Sequence, residues 1–259
     1  MTSPKLPLSL TVFRGFPDKC CFVWSPFVTK LEARLRFGSI SYRTESGSVT
    51  KAPRGKVPYV SIDHGDGNCE TVADSTLITQ ALIESEDLED LNDNLTAALK
   101  LQDLSIRALL EDKLYFYQCH ERWVVNYYSM RSKILGALPW PLQFIIGNIV
   151  YKKTMRSLEG QGALKYSTEE ITSFRYEIWD TLNSYLSAVS RPDDQEAPFW
   201  ILGGDAPTEA DATLFGFIAS SLICDAAPET KVKVKSCPAL VDYAQRVYRK
   251  YFPDYELWE

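Results

Sequence analysis

The hydrophobic pattern of this chain changes period once, and that single change limits the folds open to it. Over roughly the first 85 residues, short alternating runs and two short helical patterns are separated by turn signals. From about position 97 onward the apolar residues recur at helical spacing throughout. Residues 8–13 read Leu-Ser-Leu-Thr-Val-Phe, the alternation of a half-buried strand. Ser25-Pro26 opens a helix, because Ser caps well and proline's missing N–H is not needed in the first turn. Phe27, Val28, Leu31 and Leu35 follow at helical spacing, and Gly38 ends the run. Residues 40–43 are expected as a second strand, 47–55 as a loop with scattered basic residues, and 57–62 as a third strand with Pro58 at its start. A turn signal at 64–68 precedes a fourth short strand at 69–72. Asp74 and Ser75 then open a helix carrying Leu77, Ile78, Ala81 and Leu82. The order β-α-β-loop-β-β-α suits a small sheet layered with helices.

Residues 84–93 hold six carboxylates and read as a solvated linker. Helical patterns follow at 97–128, 167–189, 208–224 and 238–251; the first carries Leu101, Leu104, Ala108, Leu109 or Leu110, Leu114 and Tyr117. An α+β chain of two domains is therefore expected: an α/β domain over residues 1–85, an acidic linker over 86–96 and an all-helical domain over 97–259. A length of 259 residues accommodates that division. The apolar run 138–151 is too short to span a bilayer and is interrupted by Pro139, Pro141, Gln143, Gly147 and Asn148. It is assigned to the core of the helical domain or to a subunit interface.

With 28 Lys and Arg against 34 Asp and Glu, the net charge is −6. Such a chain has no general attraction for phosphate, which argues against nucleic acid or an anionic membrane as main partner, although a local basic patch remains open. Residues 1–16 contain Pro4 and Pro7 and lack a sustained apolar run, so no secretory signal is expected. The six cysteines include the adjacent pair Cys20 and Cys21 and no C-x-x-C, and a chain of this size needs no disulfide staples. Reduced thiols and a cytoplasmic location are expected, with no membrane span. The two histidines, His64 and His120, form no metal-ligand spacing, so no metal is expected.

An ordered series of short motifs makes the pattern more specific: Ser25-Pro26-Phe27, Lys30, Gly55-Lys56-Val57-Pro58 and Ala73-Asp74-Ser75, then Pro-Thr-Glu-Ala-Asp-Ala-Thr-Leu-Phe-Gly at 207–216 and Cys-Pro-Ala-Leu-Val-Asp-Tyr at 237–243. This series resembles the glutathione S-transferase superfamily, most closely its failed-axon-connections and metaxin-like branch, over nearly the whole chain. The resemblance implies a thioredoxin-like domain that binds glutathione, followed by the helical domain, and by superfamily habit a homodimer.

Each residue carries a local reading beside the implied one. Ser25 is an N-cap; by resemblance its hydroxyl stabilises a glutathione thiolate at the amino end of the helix, where exposed N–H groups favour negative charge. A serine there cannot form a mixed disulfide, which favours conjugation or isomerisation over thiol transfer. Phe27 belongs to the same implied site. Pro58 is an edge-strand proline; the resemblance implies a cis Val57-Pro58 bond, with Val57 pairing to the cysteinyl backbone of glutathione. Asp74 and Ser75 cap a helix; the resemblance adds the γ-glutamyl group as their ligand. Lys51, Arg54 and Lys56 are loop charges, of which Lys56 is the first choice for the glycyl carboxylate. Cys20 and Cys21 are small apolar residues near a strand end, or redox thiols standing in for the missing cysteine at 25. Thr208 and Asp211 form a capping box serving stability. The aromatics of 115–128 are core residues for the most part; Tyr117 and His120 are the candidates for a second-substrate pocket holding a hydrophobic electrophile. The function implied is a glutathione-dependent transferase or isomerase, with a non-catalytic binding or assembly protein of the same fold as the alternative.

Overall fold

Alternation along residues 9–13 places Leu10 and Val12 on one side of the first strand. In the computed structural model both lie in an apolar core with Leu31, Leu35, Val60, Ile62, Ile78 and Leu82. The structure describes residues 9–63, 69–136, 138–189, 191, 192, 194 and 196–258. The turn expected at 64–68 lies outside the described residues. Ser9–Phe13 (β1), Arg43–Glu45 (β2), Tyr59–Asp63 (β3) and Cys69–Ala73 (β4) form one sheet in the order β2-β1-β3-β4. β1 and β2 are parallel, with Thr11 opposite Arg43; β3 is antiparallel to both neighbours, with Val60 opposite Val12 on one side and Val72 on the other. Pro26–Phe37 (α1) and Ser75–Glu84 (α2) cover the face that holds the core. The other face stacks Phe13 on Tyr59 at 4.4 Å, beside Ala52, Val57 and Ala73. The second strand begins at Arg43, later than the expected 40–43, because the Ile40 N–H turns back to the Leu35 carbonyl (2.9 Å) to close α1.

Ala97–Ala108 (α3) and Tyr115–His120 (α4) belong to one rod. π-helical turns at Leu109–Leu114 and Glu121–Val125 interrupt it. The rod stops at Asn126 (φ −112°, ψ 37°), short of the expected 128, and Tyr127–Leu135 (α5) starts there. Trp140–Gly160 (α6), Thr168–Ala188 (α7), Glu209–Ile223 (α8), Pro228–Lys235 (α9) and Pro238–Tyr251 (α10) complete the domain. The capping box of α7 pairs Ser167 with Glu170 (2.8 and 3.2 Å).

Three expectations change. Leu101 and Leu104 are 65% and 54% exposed, whereas Asp103 between them is fully buried. Its carboxylate accepts the Ala210 N–H (2.7 Å) and the Arg107 Nε–H (2.7 Å), so that face of α3 serves to cap α8. The linker is not merely solvated: Leu88 is buried, the Glu89 carbonyl accepts from Arg34, and Asn92 Oδ1 accepts the Glu209 N–H at 3.2 Å. The apolar run 138–151 is not core, for Trp140, Phe144, Ile145 and Ile149 are each more than half exposed.

The two layers meet where α1 packs on α8. A Cβ added to Gly216 would lie 2.5 Å from the Pro26 carbonyl oxygen and 2.7 Å from the Lys30 nitrogen, so only glycine permits this approach. Within α8 the buried Asp211 accepts hydrogen bonds from the Thr208 N–H and hydroxyl, the Ile201 N–H and the Tyr243 hydroxyl at 2.8–3.0 Å. Burial still pushes its carboxyl up to about 6, against the pull of those bonds. This is a folding device, in keeping with the capping reading. No single helix among the described residues is long and apolar enough to cross a membrane.

Candidate functional site at the amino end of the first helix

Ser25 takes an extended conformation (φ −87°, ψ 114°) immediately before α1, with proline at the first helical position. That geometry suits an N-cap, yet the Ser25 hydroxyl bonds to none of the helix N–H groups. Its side chain is half-buried, at a helix end whose N–H groups and dipole favour an anion. The preceding carbonyl, that of Trp24, accepts a 2.9 Å hydrogen bond from Arg122 Nη1. Arg122 is buried, 4% exposed, and makes no ion pair among the described residues; its Nε and Nη2 have no hydrogen-bond partner. A buried guanidinium in that condition is costly, which marks the place for attention.

The rod α3–α4 brings further groups over α1. Tyr115 meets the Phe27 ring edge-on at 5.0 Å. Cys119, one turn on, is buried beside Tyr115, and burial pushes its thiol up while the charges of Arg122 and Lys56 pull it down. Glu111, in the first π-helical turn, accepts from Lys30 Nζ (2.7 Å) and from the Thr213 hydroxyl (3.1 Å). Lys30 is itself buried and donates to Thr76 Oγ1 (3.0 Å) in the first turn of α2. One ion pair therefore joins α1, α2, the rod and α8.

The sheet supplies the rest. The Val57-Pro58 peptide is cis. Neither backbone polar group of Val57 has a hydrogen-bond partner among the described residues, so a free edge precedes β3. The Pro58 carbonyl accepts the Asp74 N–H at 3.4 Å, which ties this edge to the start of α2. Asp74 caps α2 through the Thr76 N–H (3.0 Å) while holding φ at 85°, a left-handed value that a non-glycine residue adopts at a cost of about 1–3 kcal/mol. Ser75 beside it is buried.

The start of α1 at Ser25 and Phe27, the strand entry at Val57 and Pro58 and the start of α2 at Asp74 and Ser75 are thus linked through the Lys30–Thr76 and Pro58–Asp74 bonds, whereas the Lys56 side chain has no hydrogen bond or ion pair among the described residues. Tyr117 and His120 stand apart from this group. Tyr117 faces α7, with its ring 5.9 Å from that of Phe174, and lines a cavity of about 170 Å³ with Phe116, Lys165 and Tyr166. His120 is buried, and its basicity is lowered by burial and by the charge of Arg175 on α7. The side of the rod that meets the start of α1 carries Tyr115 and Arg122 instead, while Cys119 packs on Leu158 of α6 and on Ala163. Cys20 is also apart, in a cleft of about 460 Å³ at the far end of α1 with Lys19, Arg36, Tyr42, Asp254 and Tyr255. The thiol of its neighbour Cys21 is pushed up, chiefly by burial. Among the described residues no group of three or more His, Cys, Asp or Glu side chains is placed to hold a metal.

Residues 26–130 match the family described as Glutathione S-transferase N-terminal domain, and residues 198–247 the family described as Glutathione S-transferase, C-terminal domain. Among curated proteins the chain is 25% identical to Failed axon connections of Drosophila melanogaster, over 90% of this chain. It spans about half the length of that relative, 55%. Solved structures share the fold. A glutathione transferase from Phanerochaete chrysosporium is 16% identical with a TM-score of 0.57, covering 98% of this chain and 99% of that one. Ure2p in complex with glutathione is 14% identical, TM-score 0.55, covering 98% and 95%. Maleylacetoacetate isomerase from Anaeromyxobacter dehalogenans, with dicarboxyethyl glutathione and citrate bound, is 12% identical, TM-score 0.52, covering 98% and 96%. The small mixed sheet is thus a thioredoxin-like domain, and the helices after the linker form the second domain of that fold.

Proposed function

Because the chain belongs to the glutathione S-transferase superfamily, we propose that it binds glutathione at the amino end of α1 and uses the thiolate on a hydrophobic electrophile. In this reading the sulfur lies beside the Ser25 hydroxyl. The free edge at Val57 takes the cysteinyl backbone as an added strand. Asp74, Ser75 and the first turn of α2 hold the γ-glutamyl end, and Lys56 meets the glycyl carboxylate. Phe27 and Tyr115 offer an apolar wall for the second substrate. The observation that carries the reading is the buried, unpaired Arg122 guanidinium bonded to the carbonyl just before Ser25. Such a charge raises the thiolate fraction, and the thiolate is the nucleophile.

The chemistry balances without a cofactor beyond glutathione. The thiol proton leaves, sulfur adds to an activated double bond, and a proton on the adjacent carbon completes a conjugate. Where the adduct rotates and then eliminates, the same steps in reverse give cis–trans isomerisation and return the thiol. The isomerase and the glutathione-bound neighbours make both outcomes reasonable for this fold. Free thiols suit a reducing, cytoplasmic setting. Exposed Leu101 and Leu104 on α3 offer an apolar surface for a homodimer.

Titration calorimetry with millimolar glutathione, followed by a conjugation assay with an activated enone, tests the reading. Ser25→Ala should keep glutathione binding within a few-fold and lose about 10²–10³ in rate, the effect of removing one donor to a developing anion. Absence of glutathione binding, or equal rates for the variant, refutes the enzymatic reading. It leaves the second one, a non-catalytic binding or assembly protein of this fold, for which retention on immobilised glutathione is not expected.

A further inference from the structure

From Arg122 to Leu158 the chain runs 37 residues with six basic side chains and no Asp or Glu, although it carries 34 acidic residues in all. The overall charge of −6 conceals this local excess. The same stretch holds α6, which begins in an unusual state. Trp140, Phe144, Ile145 and Ile149 are 69%, 53%, 54% and 61% exposed. Trp140 and Phe144 stack on each other at 6.2 Å in solvent. Helical spacing sets Leu142, Ile145 and Ile149 on the side opposite the buried Gly147 and Leu158. Lys152, Lys153 and Arg156 continue that outward side, all exposed and without an ion pair among the described residues. The outward side of α6 is therefore apolar in its first half, through Leu142, Ile145 and Ile149, and cationic in its second, while Trp140 and Phe144 lie on the Gly147 side at the exposed start of the helix.

We propose that α6 docks this protein peripherally on an anionic phospholipid bilayer. Leu142, Ile145 and Ile149 enter the boundary between headgroups and acyl chains, and Lys152, Lys153 and Arg156 meet the lipid phosphates. Burial of apolar surface and attraction of unpaired cations add together in such a contact. The contact is superficial, since α6 cannot cross the bilayer. A second copy of the chain fits less well. Two-fold pairing along α6 sets the cations of one copy against apolar or cationic residues of the other, with no acid from 122 to 158 to receive them.

Sedimentation of the full chain with vesicles of phosphatidylcholine alone, or containing about 30% phosphatidylserine, tests this. Binding to the anionic vesicles should be at least about tenfold tighter and should weaken in about 0.5 M salt. The double variant Ile145→Ser/Ile149→Ser should lose binding about tenfold or more with unchanged circular dichroism, as both side chains are exposed. Lys152→Glu/Lys153→Glu should abolish the preference for anionic vesicles, and it decides the matter should the apolar variant fail to fold. No binding, equal binding to both vesicles or full binding by the charge variant overturns the proposal. So does a dimer in light scattering that the apolar variant splits while vesicle binding is absent, which would make the face a contact between copies.

Discussion

Two arginines sit at opposite ends of α1, and their surroundings differ. At the carboxyl end Arg36 is fully occupied. Its Nε donates to the Tyr42 hydroxyl (2.8 Å), Nη1 to the Tyr251 carbonyl (2.7 Å) and Nη2 to Asp254 Oδ2 (2.9 Å). The guanidinium also lies over the rings of Phe252 and Tyr255, at 4.3 and 4.6 Å. At the amino end Arg122 spends one nitrogen on the Trp24 carbonyl and leaves two without partners, while the nearby Ser25 hydroxyl caps nothing. A satisfied cation clamps the chain terminus to the sheet domain. An unsatisfied one adds little to stability.

Arg36→Ala attacks the clamped end and should have the largest effect on stability. Loss of a charge-assisted network and two ring contacts, part of it open to water, should cost about 2 kcal/mol. For a chain of this size that is a fall of about 4–8 °C in thermal midpoint, with glutathione affinity kept within twofold. A comparable loss of binding would show that the two ends are not independent.

Arg122→Met sharpens the other half of the contrast. Stability should stay within about 1 kcal/mol, because an apolar side chain of similar length replaces an unpaired buried charge. The thiol pKa of bound glutathione should rise by about one unit, worth about 1.4 kcal/mol, as read from thiolate absorbance against pH. A large fall in thermal midpoint with an unchanged thiol pKa would place Arg122 with Arg36 as a structural residue.

The smallest effect is the dependence of stability on pH. Burial pushes Glu32, paired with Arg14 at 2.8 Å, up to about 7 and Asp211 up to about 6. Both carboxyls hold their protons more tightly when folded than the usual 4.5 and 3.8, so their contribution is complete below those values and lost as pH rises through 6 and 7. His120, lowered by burial and by the charge of Arg175, acts in the opposite sense. The urea midpoint should therefore decline gently between pH 5 and about 7.5. A rising midpoint would mean that Glu32 and Asp211 ionise normally within the fold.

The site was legible in the sequence where its chemistry is local. Ser25-Pro26, Val57-Pro58 and Asp74-Ser75 announce a helix start, a constrained strand entry and a cap, because each depends on the backbone of its own few residues. The wall of the site was not legible. A π-helical turn bonds i to i+5 and inserts a residue, so two of them shift the face of the rod against a 3.6-residue count. Tyr117 and His120 therefore turn to α7, Cys119 to α6, and Tyr115 and Arg122 to the start of α1.

Sequence alone determined the element order, the change from mixed sheet to helices and the caps at Thr208 and Asp74, since each rests on short-range backbone preference and on the period of apolar residues. Only the tertiary structure decided which apolar residues leave water: Asp103 went inside to cap α8, while Leu101, Leu104 and the first half of α6 stayed out. Burial depends on what another part of the chain brings to the same place. No local pattern carries that information.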